Sequence, residues 1–287
     1  MSGHRLSLRE RGRRVRSAAM LALTGVAAAV TVVPLLLILY HLLRAGAAAI
    51  DVSFFTALPA PVGQAGGGIG NALLGTALLV ALAALLGLPL AIGAGVYLAE
   101  RPDGRLAGVV RFMADVMNGI PSIVVGIFVW ALVVVRMGHF SLLAGGVALA
   151  FILLPMVTRT TEEMVRLVPR ELTEGGLALG LPRWRTTLGI VLPAARSGIV
   201  TGVLVALARI AGETAPLLFT AFGNPFWEWR PGRPVAALPL QIFQYAISPF
   251  PEWHRQAWAG ALVLLALVLL VSIGARVLIR SPYERRR

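Results

Sequence analysis

Arg209 and Glu213 stand four residues apart inside an otherwise apolar run, and no other pair in the chain carries as clear a chemical signal. Four residues is about one helical turn, so the two side chains share a face and can pair, although arginine before glutamate is the weaker order. A guanidinium released from its glutamate offers two parallel N–H donors to an oxyanion. Gly212 and Pro216 loosen the backbone between and after the pair. The residues leave two readings open. One is a buried ion pair that fixes helix packing or closes a gate; the other is a switch in which Arg209 turns from Glu213 to a passing anion. A static anion cage is disfavoured, because Glu213 repels a dianion. A second polar group, Asp115, Asn118 and Ser122 beside Pro121, is read in two ways. Either a helix starts late there with free N–H groups facing an anion, or a proline kink is capped by Ser122 while Asp115 pairs with Arg111.

Much other chemistry is excluded. All 26 basic residues are arginine, which removes a P-loop lysine, a Schiff base and any amine nucleophile. Cysteine is absent, so there are no disulfides, thiolate metal sites or redox relays. His4, His41, His139 and His254 fit no metal-ligand spacing, and no metal or cofactor is expected in this chain.

The elements that position these residues lie in a membrane. The chain has 287 residues, 57% hydrophobic and 14% charged, with mean hydropathy +0.81; soluble domains carry about 25% charged residues. Runs near the roughly 20 residues needed to cross a bilayer predict six transmembrane helices at residues 18–43, 71–99, 112–135, 140–158, 198–222 and 257–275, hence an all-α integral membrane protein with a single membrane domain. Arg209 falls twelve residues into the fifth span, near the bilayer centre, where a charge costs at least about 2.5 kcal/mol. The first run follows an arginine-rich head like a secretory signal but is about twice as long as a signal's apolar core, so it reads as an uncleaved anchor. Segments 1–17, 100–111, 159–197 and 276–287 hold 20 arginines; 44–70, 136–139 and 223–256 hold five. That asymmetry places both termini in the cytoplasm. It also accounts for the net charge of +13 as topology and attraction to anionic lipid rather than nucleic-acid binding.

The loop 159–197 reads as two short helices joined by a sharp bend. Pro169 suits a first turn, Glu171 and Glu174 favour the helix dipole, Gly180 supplies a left-handed residue, and Pro182 starts a second helix that runs to a break at Pro193. Gly175 and Gly176 let another surface approach the backbone closely. The elbow either lies on the membrane or docks into a partner's groove.

At this loop the residues resemble a known family. Glu174-Gly175-Gly176, three residues, Gly180, nine residues and Ile190-Val191-Leu192-Pro193 are similar to the EAA signature of ABC-importer permeases, with glycines where the family usually has alanines. Ala208-Arg209-Ile210-Ala211-Gly212-Glu213-Thr214-Ala215-Pro216 and the following Leu-Leu-Phe-Thr-Ala resemble the PstA-type permeases of phosphate importers more than their PstC-type partners. Gly67–Thr76, Gly119–Val124 and Leu238–Phe243 agree, and the resemblance covers residues 18–280, leaving tails 1–17 and 281–287 outside it.

The resemblance implies a type I importer permease (MetI-like) fold in a bacterial inner membrane and a non-catalytic subunit. It implies Glu174, Gly175, Gly176, Gly180 and Pro193 as the element coupled to a cytoplasmic ATPase, and Arg209, Glu213, Thr214, Asn118 and Ser122 as the phosphate pathway or gate. The partners it implies are a PstC-like second permease, a PstB-like ATPase pair binding ATP and magnesium, and a PstS-like external phosphate-binding protein. An ion-driven secondary transporter, a permease for another oxyanion or solute, and a membrane regulator remain the alternatives. The glycine-rich 63–70 segment, without a following G-K-[ST], is expected to be a flexible loop. Phe226, Trp227, Trp229, Phe250, Trp253 and Trp258 read as an interfacial belt or as a docking contact, and Pro239–Ile247 as a short surface helix.

Overall fold

The computed structural model describes residues 8–64 and 66–278; the expected tail 281–287 and the first seven residues lie outside them. In chain order the helices are α1 (Leu8–Gly46), α2 (Val52–Thr56), α3 (Gly70–Glu100), α4 (Arg105–Gly119), α5 (Ser122–Met137), α6 (Leu142–Arg166), α7 (Arg170–Ala178), α8 (Arg183–Ile210), α9 (Ala215–Leu218), α10 (Leu238–Ala246) and α11 (Pro251–Leu278). Among the described residues there is no strand beyond one isolated bridge. Five helices, α1, α3, α6, α8 and α11, are long and apolar enough to span a bilayer.

The sixth span departs from the expected continuous helix over 112–135. The chain turns by 105° between α4 and α5. Pro121 excludes its predecessor from helical geometry, and Ile120 is extended at φ −75°, ψ 128°. The two halves also differ in pattern. Leu106, Val109, Met113, Val116 and Ile120 recur at helical spacing along α4 and are exposed, whereas α5 is apolar all round. A helix with one apolar face suits the end of the bundle, and one apolar on all sides suits its interior.

The fifth span is also redrawn. It begins at Arg183 and ends at Ile210, and Pro193 does not break it. A π-turn over Thr187–Val191 precedes the proline and takes up its missing N–H, so the second helix of the elbow continues straight into α8.

Small residues set the core. Leu79, Ala83, Gly87, Ala91 and Gly95 recur every four residues on α3, all buried against α6. A Cβ on Gly95 would lie 2.5 Å from Thr161 Cβ and 2.6 Å from the Thr158 carbonyl. Gly145 and Gly146 answer from α6, receiving Leu79 and Leu82, and Gly198 and Gly202 let α8 close on Met164 and Thr160. Lipid removes most of the hydrophobic drive between helices, so close van der Waals contact replaces it.

Glu162, on α6, is 1% exposed and is surrounded by arginine. Arg111 of α4 donates to Oε1 at 2.8 and 3.1 Å, Arg159 to Oε2 at 2.7 Å, and Arg166 lies 2.7 Å from Oε1. Arg159 also holds Asp115 of α4 at 3.0 Å. The expected Arg111–Asp115 pair along one helix is therefore replaced by two cross-helix pairs, because α4 turns both residues onto α6. These contacts pin α4, and through the Pro121 bend they aim α5.

The second half of the glycine-rich segment is packed rather than a loose loop. Gly67 pairs with Pro59 across a bridge, Gly68 donates to the Leu58 carbonyl at 2.9 Å, and a Cβ on Gly68 would sit 2.5 Å from the Phe54 carbonyl. Gly67 also has φ +82°. Gly67, Gly68 and Gly70 close a packed hairpin, whereas Gly63 and Gly66 meet nothing within 4 Å.

Two substitution pairs check this packing by thermal or denaturant unfolding in detergent. Gly95→Val is expected to destabilise by about 1–3 kcal/mol through overpacking, whereas Gly93→Val, where an added Cβ meets nothing within 4 Å, is expected to change little. Glu162→Ala is expected to cost about 3 kcal/mol, leaving three guanidinium groups around an empty site. Asp115→Asn, at a half-exposed carboxylate, is expected to cost less than about 1 kcal/mol.

Candidate functional site

Arg209 sits in the last turn of α8, and the helix stops one residue later. Gly198 faces Met164 and Gly202 faces Thr160. Extended residue for residue, that antiparallel register sets Arg209 level with Leu153, halfway along α6. The expected depth therefore survives, although the continuous helix to Phe222 does not. Gly212 and Glu213 close short turns back to Arg209 and Ile210 at 3.1 and 3.2 Å. After the single turn of α9, the Thr220 carbonyl accepts from the Ser141 N–H at the start of α6. Residues 211–222 thus pass from mid-depth to the bundle end as irregular backbone. Such backbone is stable at membrane depth only where protein or a water-filled cavity covers it.

The pairing at this break is loose. Arg209 Nε lies 4.0 Å from Glu213 Oε1, with the arginine side chain 64% exposed and the glutamate 17%. Long separation and high exposure leave the guanidinium able to exchange partners at little cost. Thr214 is half-buried and begins α9 without capping it through its side chain.

The helix that follows the second candidate group reaches the same level through Gly126 and Phe128. A Cβ on Gly126 of α5 would lie 2.7 Å from Pro216 Cα, so α5 packs directly on α9. Phe128 meets Phe151 of α6 edge-on at 5.8 Å. Ser122 starts α5 one turn nearer the elbow, with no side chain capping that end. The chain bends sharply at Pro121, as a proline break would make it, but Ser122 does not cap the helix that follows. Asn118 lies beyond the bend, in the last turn of α4, and is exposed. Arg209, Glu213 and Thr214 thus lie at the break that leads into the α5–α9 contact, while Ser122 lies one turn of α5 away from that contact and Asn118 beyond the bend.

At the elbow end, α7 stops at Gly180, whose φ of +77° reverses the chain into α8. The two glycines of the elbow differ in role. Gly176 is buried under Thr186 and Ile190, where a Cβ would come within 2.7 Å of Thr186 Cγ2, while Gly175 meets nothing within 4 Å. Leu172, Gly175 and Leu179 make an open, small and apolar face on α7. Glu174 borders a cleft of about 550 Å³ between the elbow and the ends of α3 and α6. Pro193 lies inside α8 and outside that face.

The opposite end carries α10, whose Leu238, Leu240, Gln241 and Tyr245 are buried against α3 and α11. Phe226 and Trp229 are exposed there, while Trp253 stacks on Tyr245 at 4.7 Å and Trp258 meets His41 edge-on at 4.8 Å. Burial pushes the Tyr245 phenol above its usual value. Among the described residues, no three His, Cys, Asp or Glu side chains gather as a metal site would require. Glu162, Asn71 and Tyr245 escaped the sequence reading. Arg159 and Arg166, three before and four after Glu162, were the available signal for its cluster; Asn71 and Tyr245 carried none.

Known proteins share this architecture. The family described as binding-protein-dependent transport system inner membrane component matches residues 87–282. The phosphate transport system permease protein PstA of Yersinia pestis is 50% identical over 85% of this chain and 83% of its own. The PstA of Xylella fastidiosa strain Temecula1 is 47% identical over 93% of both chains. Among solved structures, an inward-facing conformation of the MetNI methionine ABC transporter superposes with TM-score 0.60 at 21% identity, covering 74% of this chain and 93% of the other, a likeness of fold alone. With that coverage and identity, the chain belongs to the binding-protein-dependent transport system inner membrane components, among the PstA phosphate transport permeases.

Proposed function

We propose that this chain is the membrane-spanning permease subunit of an ATP-driven phosphate importer, non-catalytic itself and forming half of the translocation pathway. The observation that carries the reading is near full-length identity of 43–50% to relatives named as phosphate transport permeases. Both termini lie in the cytoplasm of a bacterial inner membrane, as the arginine asymmetry requires. The elbow then faces the cytoplasm, and Leu172, Gly175 and Leu179 seat in a groove of a PstB-like ATPase pair that binds ATP and magnesium. A PstC-like permease completes the pathway, and a PstS-like phosphate-binding protein delivers substrate at the other end.

Mechanistically, closure of the ATPase pair moves the elbow, and α8 continues from the elbow to Arg209 without a break, so the motion reaches mid-depth along one helix. Arg209 exchanges its loose contact with Glu213 for the passing phosphate, then returns to it. The pair is thus a switch rather than a cage.

Vesicles containing the complete complex, given labelled phosphate, sulfate or molybdate, test class and substrate together: ATP-dependent uptake selective for phosphate is expected, and equal uptake of another oxyanion overturns the reading. In the same vesicles Arg209→Gln is expected to cut phosphate uptake by roughly tenfold or more, the equivalent of about 1.4 kcal/mol. Unchanged uptake at normal subunit levels would sink the switch. Gly175→Trp is expected to abolish co-purification of the ATPase, and Gly175→Ala to preserve it while adding up to about 1 kcal/mol of helix propensity.

A further inference from the structure

The elbow has two faces that point in opposite directions. Leu172, Gly175 and Leu179 make the open apolar face. Arg170, Thr173, Glu174 and Leu177 recur at helical spacing about half a turn round α7 from that face, and they line the cleft of about 550 Å³ between the elbow and the bundle. Arg166 of α6 and Arg183 at the start of α8 line the same cleft, which therefore has three guanidinium groups on its walls.

These groups are accessible and largely uncommitted. Arg170, Arg183 and Glu174 are exposed, and among the described residues none of the three enters a salt bridge. Arg166 is held from the bundle side, 2.7 Å from Glu162 and 3.5 Å from the Leu98 carbonyl. Both contacts use Nη2, which leaves Nη1 and Nε to a ligand on a side chain that is 44% exposed. On the far wall the Thr187 hydroxyl already donates to Glu100. The pattern of free groups selects a class of anion. Guanidinium groups only donate hydrogen bonds and the Glu174 carboxylate only accepts them, so the complementary ligand is an oxyanion that keeps a proton. Inorganic phosphate near neutral pH carries both charge and a P–OH group. Sulfate and the phosphate diester of a lipid have no such proton to give.

We propose that this cleft is a cytoplasmic site for inorganic phosphate and that the bound ion slows the transport cycle. The proposal rests on the permease reading above, which makes phosphate the product that accumulates on this side. The ion bridges Arg166 on the bundle to Arg170 and Arg183 on the elbow, while its P–OH group donates to Glu174. Motion of the elbow relative to the bundle is the step that carries ATPase closure to Arg209, and a bridge across the cleft resists it. Because the cleft face and the apolar face lie on opposite sides of α7, the ATPase stays seated while the cleft fills. The product thus favours one position of the elbow over the other, which is the differential binding that feedback requires.

The experiment uses the complete complex in nanodiscs of neutral lipid, with the binding protein already saturated, and records ADP release as free phosphate is raised. Millimolar phosphate is expected to slow hydrolysis roughly twofold or more, and sulfate at matched ionic strength to leave it unchanged. Arg170→Gln combined with Arg183→Gln breaks no ion pair; it is expected to keep the rate at low free phosphate and to raise the inhibitory concentration roughly tenfold. In the wild-type complex without nucleotide, phosphate but not sulfate is expected to protect the amides of residues 170–186 from hydrogen exchange. Equal inhibition in the double variant belongs to the ATPase's own product site and overturns the cleft. So does equal inhibition by sulfate, an elbow that phosphate leaves unprotected, or slowing that appears only when anionic lipid is added to the nanodisc. A wild-type complex that the loaded binding protein does not stimulate overturns the permease reading and the feedback with it.

Discussion

Close contact between α3 and α6 is the constraint on which the other elements depend. The stripe Ala83, Gly87, Ala91 and Gly95 brings the two helices together until the glycine at position 95 has no room for a Cβ beside Thr161 and Thr158. In a bilayer such contact must come from backbone proximity, since leaving lipid gains little for an apolar side chain. Once α6 is fixed, its other surfaces become templates. Glu162 and Arg159 hold α4, Phe151 meets α5, Thr160 and Met164 receive the glycines of α8, and Ser141 ties down the segment after α9. The elements around Arg209 are thus placed by one helix.

Two charged clusters in this frame show opposite designs. Glu162 is buried, multiply bonded and costly to disturb, which suits a group that sets the angle of α4 and hence of α5. Arg209 is exposed and holds Glu213 only at 4.0 Å, which suits a group that must change partners. The broken backbone after Ile210 serves the second design. Helix ends and irregular turns at mid-depth leave backbone groups facing a cavity, whereas an unbroken helix satisfies them internally.

The elbow divides its glycines in the same way. Gly176 serves the chain's own packing, and Gly175 belongs to the open face. Both were legible as small residues in a signature, but smallness has two uses, and a linear spacing does not separate them. The breaks were harder to place. Pro121 and Pro193 look alike in sequence, yet one bends the chain by 105° and the other is absorbed by a π-turn. The difference lies in the flanking segments: α4, before Pro121, has an amphipathic pattern that belongs across the bundle end, while the residues on either side of Pro193 continue one helix into the membrane. The glycine-rich segment misled for a related reason. Its composition suits a mobile loop, and only the approach of Phe54 and Ala60 shows that the missing side chains make room for packing.

The sequence by itself determined the solvent, five long apolar helices, the elbow with its left-handed Gly180, and the one-turn spacing of Arg209 and Glu213. These rest on local quantities: apolar run length, the cost of a charge in hydrocarbon, the conformational limits of proline and glycine, and spacings within one turn. Only the tertiary structure decided that Arg111 of α4 joins Glu162, that Asp115 answers Arg159 rather than Arg111, that α5 packs on Pro216 through Gly126, and that Asn71 and Tyr245 line one cavity. Apart from Arg159 and Arg166, which lie within about a turn of Glu162, the partners stand tens to more than a hundred positions apart. The register between packed helices, which no local pattern encodes, brings them together.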